Sequence, residues 1–259
     1  MTANGPRLVA DGPARSPLPS PRPPRRSGWR WLRRLLGVVV AAVLAVVVAI
    51  AILWPLTPSV ADAPHRVRAD IGPHGSQLLP ALPHPDRVAR AIIATENSRF
   101  YVDPGVDPVG LLRAAEGVVL HRNVGASTLE QQLAKRLYTP ADASVWPKVE
   151  DLELSFKLDL SYSKDDVLRM YLSDVYFGHN SYGVTAAAEK YFGRRPTDLS
   201  WAQASLLAGL VQAPTAYNPY EHPAAAKARQ RHVLDRLVAT GVLSRQQADA
   251  AYAAPLHLR

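Results

Sequence analysis

The pattern of apolar and polar positions divides the chain into four stretches. Residues 1–34 show no apolar period; seven prolines among the first 28 alternate with glycine, serine and arginine, and so little can be buried there that ordering entropy is not offset. A disordered basic tail is expected. From Leu35 to Trp54 charge disappears for twenty residues of mainly valine, alanine, leucine and isoleucine, which at 1.5 Å rise spans about 30 Å, the thickness of a hydrocarbon core. This predicts one transmembrane helix. Residues 55–85, rich in proline, histidine and glycine, read as a stalk, and residues 86–259 as a folded domain.

Within that domain the period is helical nearly throughout. Asp107-Pro108 reads as N-cap and first residue of a helix over 109–120. Ser127 with Glu130, and Ser200 with Gln203, fit capping boxes that open apolar-periodic runs. Ser163 precedes Val167, Leu168, Tyr171 and Leu172 at helical spacing; a long helix over 223–240 stops at Gly241, and Ser244 with Gln247 opens the last one. Strand patterns are nearly absent, so the predicted fold class is mainly α.

Charge adds direction. Of the formal +8, residues 1–34 carry +7, from eight arginines against Asp11 alone, which leaves +1 for the rest and argues against a nucleic-acid-binding face. Trp29, Trp31, Arg30, Arg33 and Arg34 before the apolar run, and Trp54-Pro55 after it, match interfacial anchors and the positive-inside rule. A cytoplasmic N-terminus and an external domain are expected. A cleaved signal peptide is the alternative, with Ala61-Asp62-Ala63 as cleavage site, but the run exceeds the usual apolar core of about 7–15 residues. The absence of cysteine excludes disulfides, thiolate metal sites and cysteine catalysis.

Three stretches hold more polar chemistry than helix packing requires. In Ala91–Tyr101 an apolar helix runs into Glu96, Asn97 and Arg99; a partly desolvated helix-end carboxylate suits proton transfer, while the bland reading is a solvated last turn. In Gly125–Arg136, exposed amides and hydroxyls at a helix N-terminus with Lys135 and Arg136 suit an anion; the bland reading is a cap with Gln131-Gln132 on the surface. In Trp146–Glu153, acid and base alternate around Lys148, Glu150 and Asp151, as on any solvated helix. Ser161-Tyr162-Ser163-Lys164 has the S-x-x-K spacing of penicillin-binding transpeptidases, but no K-T-G or S-D-N follows.

In order, these stretches resemble glycosyltransferase family 51, the peptidoglycan glycosyltransferases found alone or at the front of class A penicillin-binding proteins. Glu96 to Gly105 resembles E-D-x-x-F-x-x-H-x-G, and Gly125 to Lys135 resembles G-x-S-T-I-T-Q-Q-L-x-K. Tyr162-Ser163-Lys164, Tyr176-Phe177-Gly178, Tyr191-Phe192-Gly193, Gln212-Ala213-Pro214 and Tyr217-Asn218-Pro219 follow in family order. The match runs from about Asp86 to about Tyr252. Asn97 stands where the family has aspartate, Asp103 where it has histidine, and Glu130 where it has threonine. Pro147-Lys148-Val149-Glu150-Asp151 stands for R-K-x-x-E, with the second glutamate's place open between Glu150, slightly favoured, and Asp151.

The resemblance implies a lysozyme-like helical domain acting on lipid II and the growing glycan strand at the membrane, among other cell-wall synthesis proteins and without a transpeptidase domain. Glu96 is the implied general base and Glu150 or Asp151 the second carboxylate. Asn97, Arg99, Phe100, Ser127, Thr128, Gln131, Gln132, Lys135 and Lys148 are the implied substrate contacts. A divalent cation, Mg or Mn, is compatible with pyrophosphate departure, with no protein metal site identified. Two other readings stand beside this one: a lysozyme-like hydrolase, and a catalytically reduced scaffold that binds lipid II.

Overall fold

The computed structural model of the chain describes residues 27–83, 86–110, 127–139 and 147–259. The chain divides into two compact units, Met1–Val48 and Ala49–Arg259, each taken by itself. Helix α1 runs Ser27–Leu53. It begins at Ser27 rather than at Leu35, because Arg30, Arg33 and Arg34 extend a helix readily. Its apolar surface is open, with Leu36, Val38 and Val43 each more than half exposed. Among the described residues no helix is long and apolar enough to cross a membrane. Of the tail expected over 1–34, residues 1–26 lie outside the described residues and 27–34 belong to α1.

The second unit is mainly helical, with a single isolated bridge, Tyr176 to Tyr182, among the described residues. Its helices are α2 (Ala63–Ile71), α3 (Arg87–Glu96), α4 (Leu129–Tyr138), α5 (Pro147–Ser161), α6 (Lys164–Asp174), α7 (Gly183–Phe192), α8 (Trp201–Leu210), α9 (Pro223–Ala239) and α10 (Arg245–Ala253). Residues 108–110 are helical, as Asp107-Pro108 predicts, and the expected continuation from 111 lies outside the described residues. Helix α8 explains the centre of the fold. Trp201–Leu210 has no charged residue, and every position from Ala202 to Leu210 is buried, as an all-round apolar helix must be. It packs against α3 and α9.

The caps at Ser163, Ser200 and Ser244 form as expected, the last two as reciprocal boxes with Gln203 and Gln247. The box expected from Ser127 and Glu130 falls one residue later. Thr128 accepts from the Gln131 amide, and Gln131 Oε1 accepts from the Thr128 amide at 2.8 Å. Both registers satisfy the box pattern. The later one places Leu129 and Leu133 in the core and leaves Glu130 free to pair elsewhere. The stretch read as a stalk contains α2, whose Ala63, Val67 and Ile71 are fully buried with Val60 close to it. Its short amphipathic period is masked in the sequence by the surrounding prolines and histidines.

Candidate active site

Glu96 is the last residue of α3, and its setting is built by three other helices. Ala89, Ile92 and Ala91 bury one face of α3, which α8 and α9 cover. The helix end is then gripped by two arginines of α9. Arg236 Nε donates to the Ala94 carbonyl at 3.1 Å, and Arg229 Nη2 donates to Glu96 Oε1 at 3.1 Å. A cation at a helix C-terminus offsets the exposed carbonyls there. From α4, Gln132 Nε2 approaches Glu96 Oε2 at 3.4 Å, while Gln132 Oε1 accepts from the Tyr171 hydroxyl of α6 at 2.7 Å.

The Glu96 side chain is 16% exposed and that of Arg229 11%. Burial raises the Glu96 pKa, and Arg229 and then Gln132 pull it back only in part. Held by one guanidinium and one amide among the described residues, the carboxylate keeps an opening to solvent and a raised proton affinity, a combination suited to proton transfer.

Around this carboxylate the candidate residues separate into those brought near it and those used to build the loop. Gln132 touches Glu96. Lys135, exposed and one turn beyond Gln132 on α4, shares its helix face. Ser127 is exposed just ahead of α4. Thr128 and Gln131 are occupied in capping, and the Thr128 hydroxyl also donates to the Gly105 carbonyl at 2.7 Å, tying the first stretch to the second. Gly105 has φ +72°, and a Cβ there would lie 2.6 Å from the Ser155 carbonyl, so this close approach requires glycine.

Phe100 is fully buried with the Lys164 ammonium 5.0 Å from its ring centre, and Asn97 is 5% exposed. Both face the protein rather than solvent. Arg99 donates to Asp103 at 2.9 Å and lies 3.8 Å from Asp107, with its side chain 45% exposed.

Two of the departures from the family pattern face each other, and a third pairs with a lysine. Asn97 Nδ2 lies 3.4 Å from Asp103 Oδ2, so the two substituted positions of the first motif face each other. Glu130, fully buried, accepts from Lys164 Nζ at 2.5 Å; that ammonium also meets Asp159 at 2.6 Å and the Asp103 carbonyl at 2.6 Å.

On α5, Asp151 accepts from the Thr139 hydroxyl at 2.6 Å, and Glu150 is half-buried. The backbone of Lys148 lies in α5, while its side chain lies outside the described residues. Among the described residues no three histidine, aspartate or glutamate side chains converge to hold a metal.

Arg229 was not among the residues the sequence singled out. Its signal is positional: Ala226, Val233 and Leu237 mark the buried stripe of α9, and Arg229 and Arg236 fall in that stripe at helical spacing. A guanidinium there needs an acceptor.

The transglycosylase family matches residues 68–238. Penicillin-binding protein 1A of Neisseria gonorrhoeae is 40% identical over 67% of this chain and 22% of its own length, and that of Escherichia coli K12 is 38% identical over 64% and 20%. A Cupriavidus necator protein named, provisionally, as a transglycosylase is 35% identical over 72% of this chain and 81% of its own length. The chain thus spans about a fifth of the penicillin-binding relatives and most of the third.

Proposed function

The chain belongs to the transglycosylase family, glycosyltransferase family 51, and on that premise we propose that it polymerises lipid II into β-1,4 glycan strands with Glu96 as general base. The 4-hydroxyl of one sugar attacks the anomeric carbon of the other, the lipid pyrophosphate leaves, and the hydroxyl proton passes to Glu96. A pyrophosphate departs with little protonation, so one base plus cations near the leaving group is sufficient. Arg99, three residues after Glu96, and Lys135, three residues after Gln132, are exposed cations, and with Lys148 they make up the proposed clamp. The apolar run within α1 is the proposed membrane anchor, with the N-terminus cytoplasmic and the enzymatic unit outside. Other cell-wall synthesis proteins are the proposed neighbours in the membrane.

The observation that carries this reading is the Glu96 carboxylate itself, held by one guanidinium and one amide and still open to solvent. A hydrolase would also use such a carboxylate. The exposed cation on the same face of α4 favours a substrate whose leaving group is anionic.

Purified full-length protein supplied with labelled lipid II in detergent should form polymer, with and without added Mg or Mn. Glu96→Gln keeps shape and hydrogen bonding and should slow polymerisation by about a hundredfold or more. Binding of lipid II without polymer under any of these conditions would replace this reading with that of a scaffold.

A further inference from the structure

Between the end of α1 and the start of α2 the chain passes over α5, and one ammonium group gathers it. Lys157 Nζ donates to the Trp54 carbonyl at 2.8 Å, to the Thr57 carbonyl at 3.0 Å, to the Thr57 hydroxyl at 2.5 Å and to the Pro58 carbonyl at 3.4 Å. It also lies 5.0 Å from the centre of a Trp54 ring. Glu153, one turn earlier on α5 and fully buried, accepts from the same Thr57 hydroxyl at 2.5 Å and stands 3.5 Å from Lys157. Three ammonium hydrogens are thus divided among four oxygens, all from residues 54–58.

Joining two segments does not require this arrangement. A buried lysine and glutamate are costly to desolvate, and an apolar pair of similar volume would pack as well or better. Glu153 even keeps one buried oxygen without a partner among the described residues. What the charged pair supplies is direction, because each oxygen it holds fixes one peptide group. The helix that carries it also carries Glu150 in its first turn and Asp151 just after, so the chain at 54–58 is bonded to the same helix that bears the candidate second carboxylate.

We propose that Glu153 and Lys157 form a positioning socket that clamps the juxtamembrane chain at Trp54–Pro58 to α5 and so sets the height of the active site above the bilayer for a lipid-anchored substrate. The proposal rests on the membrane and lipid II reading above. Neither residue touches reacting groups; both act through the placement of the site.

The test uses the full chain in phospholipid vesicles. The protein has no cysteine, so Arg195→Cys, at a side chain 80% exposed, gives a single labelling position for energy transfer to headgroup acceptors. Wild type should give one narrow transfer efficiency. Lys157→Met, and separately the milder Thr57→Val, should broaden and shift it, and Lys157→Arg should restore much of it.

In parallel, turnover of membrane-embedded lipid II should fall about tenfold or more in Lys157→Met while turnover of a short-chain, water-soluble analogue stays within about twofold, as expected of misplacement rather than lost chemistry. Unchanged energy transfer in both variants overturns the socket, and so does an equal fall on both substrates, which marks a merely structural pair. A wild type that polymerises neither substrate defeats the functional reading instead, and energy transfer alone then decides the socket.

Discussion

Glu96 and Glu130 are both carboxylates whose pKa is raised by burial and pulled back by a single cation, yet they are opposite cases. Glu130 is fully enclosed, and its cation is saturated: Lys164 also serves Asp159 and the Asp103 carbonyl. Burial raises the Glu130 pKa, and the hydrogen bond from Lys164, whose ammonium is shared among three acceptors at 2.5–2.6 Å, pulls it back only in part. Glu96 keeps an opening, and its contacts are longer, 3.1 Å to Arg229 and 3.4 Å to Gln132. A perturbed proton affinity therefore does not identify a working group by itself. What separates the two is spare bonding capacity combined with access, and substitutions at the two sites should fail in different currencies.

The largest effect is expected at the closed cluster. Lys164→Met leaves the buried Glu130 and the half-buried Asp159 without their cation and should lower stability by about 3–5 kcal/mol, read as a shift in the chemical-denaturation midpoint. An unchanged midpoint would erase the distinction between the two carboxylates. At the open site the loss should be catalytic, and stability should move the other way. The folded protein holds the Glu96 proton more tightly than the unfolded chain does. Glu96 thus contributes stability below the ordinary carboxylate range, and that contribution is lost as pH rises through its folded pKa. Glu96→Gln should accordingly melt at or above the wild-type temperature at neutral pH, with the difference shrinking in acid.

Most helices of the second unit, the caps at Ser163, Ser200 and Ser244 and the candidate carboxylate Glu96 were legible in the sequence, because a 3.6-residue period and a cap are local signals, whereas α2 lay in the stretch read as a stalk. The sequence did not show which polar residues face inward. Phe100 and Asn97 sit in the motif that contains Glu96, but the turn after α3 points both into the protein. Thr128 outcompeted Ser127 as the cap because tertiary burial of Leu129 and Glu130 chose between two equivalent local patterns. Arg229 lies 133 positions from Glu96, and only the packing of α9 against α3 reveals the pair. The choice between Glu150 and Asp151 is sharpened by one bond: the Thr139 hydroxyl already occupies Asp151. If Glu150 is the working group, Glu150→Gln should abolish polymerisation while Asp151→Asn changes it little, since adjacent helical positions lie about 100° apart. The reverse pattern assigns the role to Asp151.

A smaller effect should separate Arg229 from a purely structural arginine. On the proposed mechanism Glu96 acts as base only when ionised, so the acid limb of kcat/KM should lie above the ordinary carboxylate range. Arg229→Gln removes the cation that pulls the pKa down, so that limb should move to still higher pH while the rate on the alkaline plateau recovers. A rate lowered equally at every pH would make Arg229 a packing residue and return Glu96 to the same class as Glu130.

The smallest effect tests on which side of the comparison the first-motif departures fall. Asn97 and Asp103 are both nearly inaccessible and meet at 3.4 Å, with Arg99 completing Asp103 at 2.9 Å. They form a closed contact, like the Glu130 cluster. Asn97→Asp alone sets two carboxylates against each other in a buried turn and should lower stability by about 1–3 kcal/mol, the scale of an unsatisfied buried polar group. Adding Asp103→His rebuilds the family's acid and imidazole pair, and the double variant should recover more than half of that loss, with polymerisation following stability rather than leading it. If Asn97→Asp instead leaves the melting temperature unchanged and alters KM for lipid II, Asn97 belongs with Glu96 at the open site, and the motif departures change the chemistry rather than the scaffold beneath it.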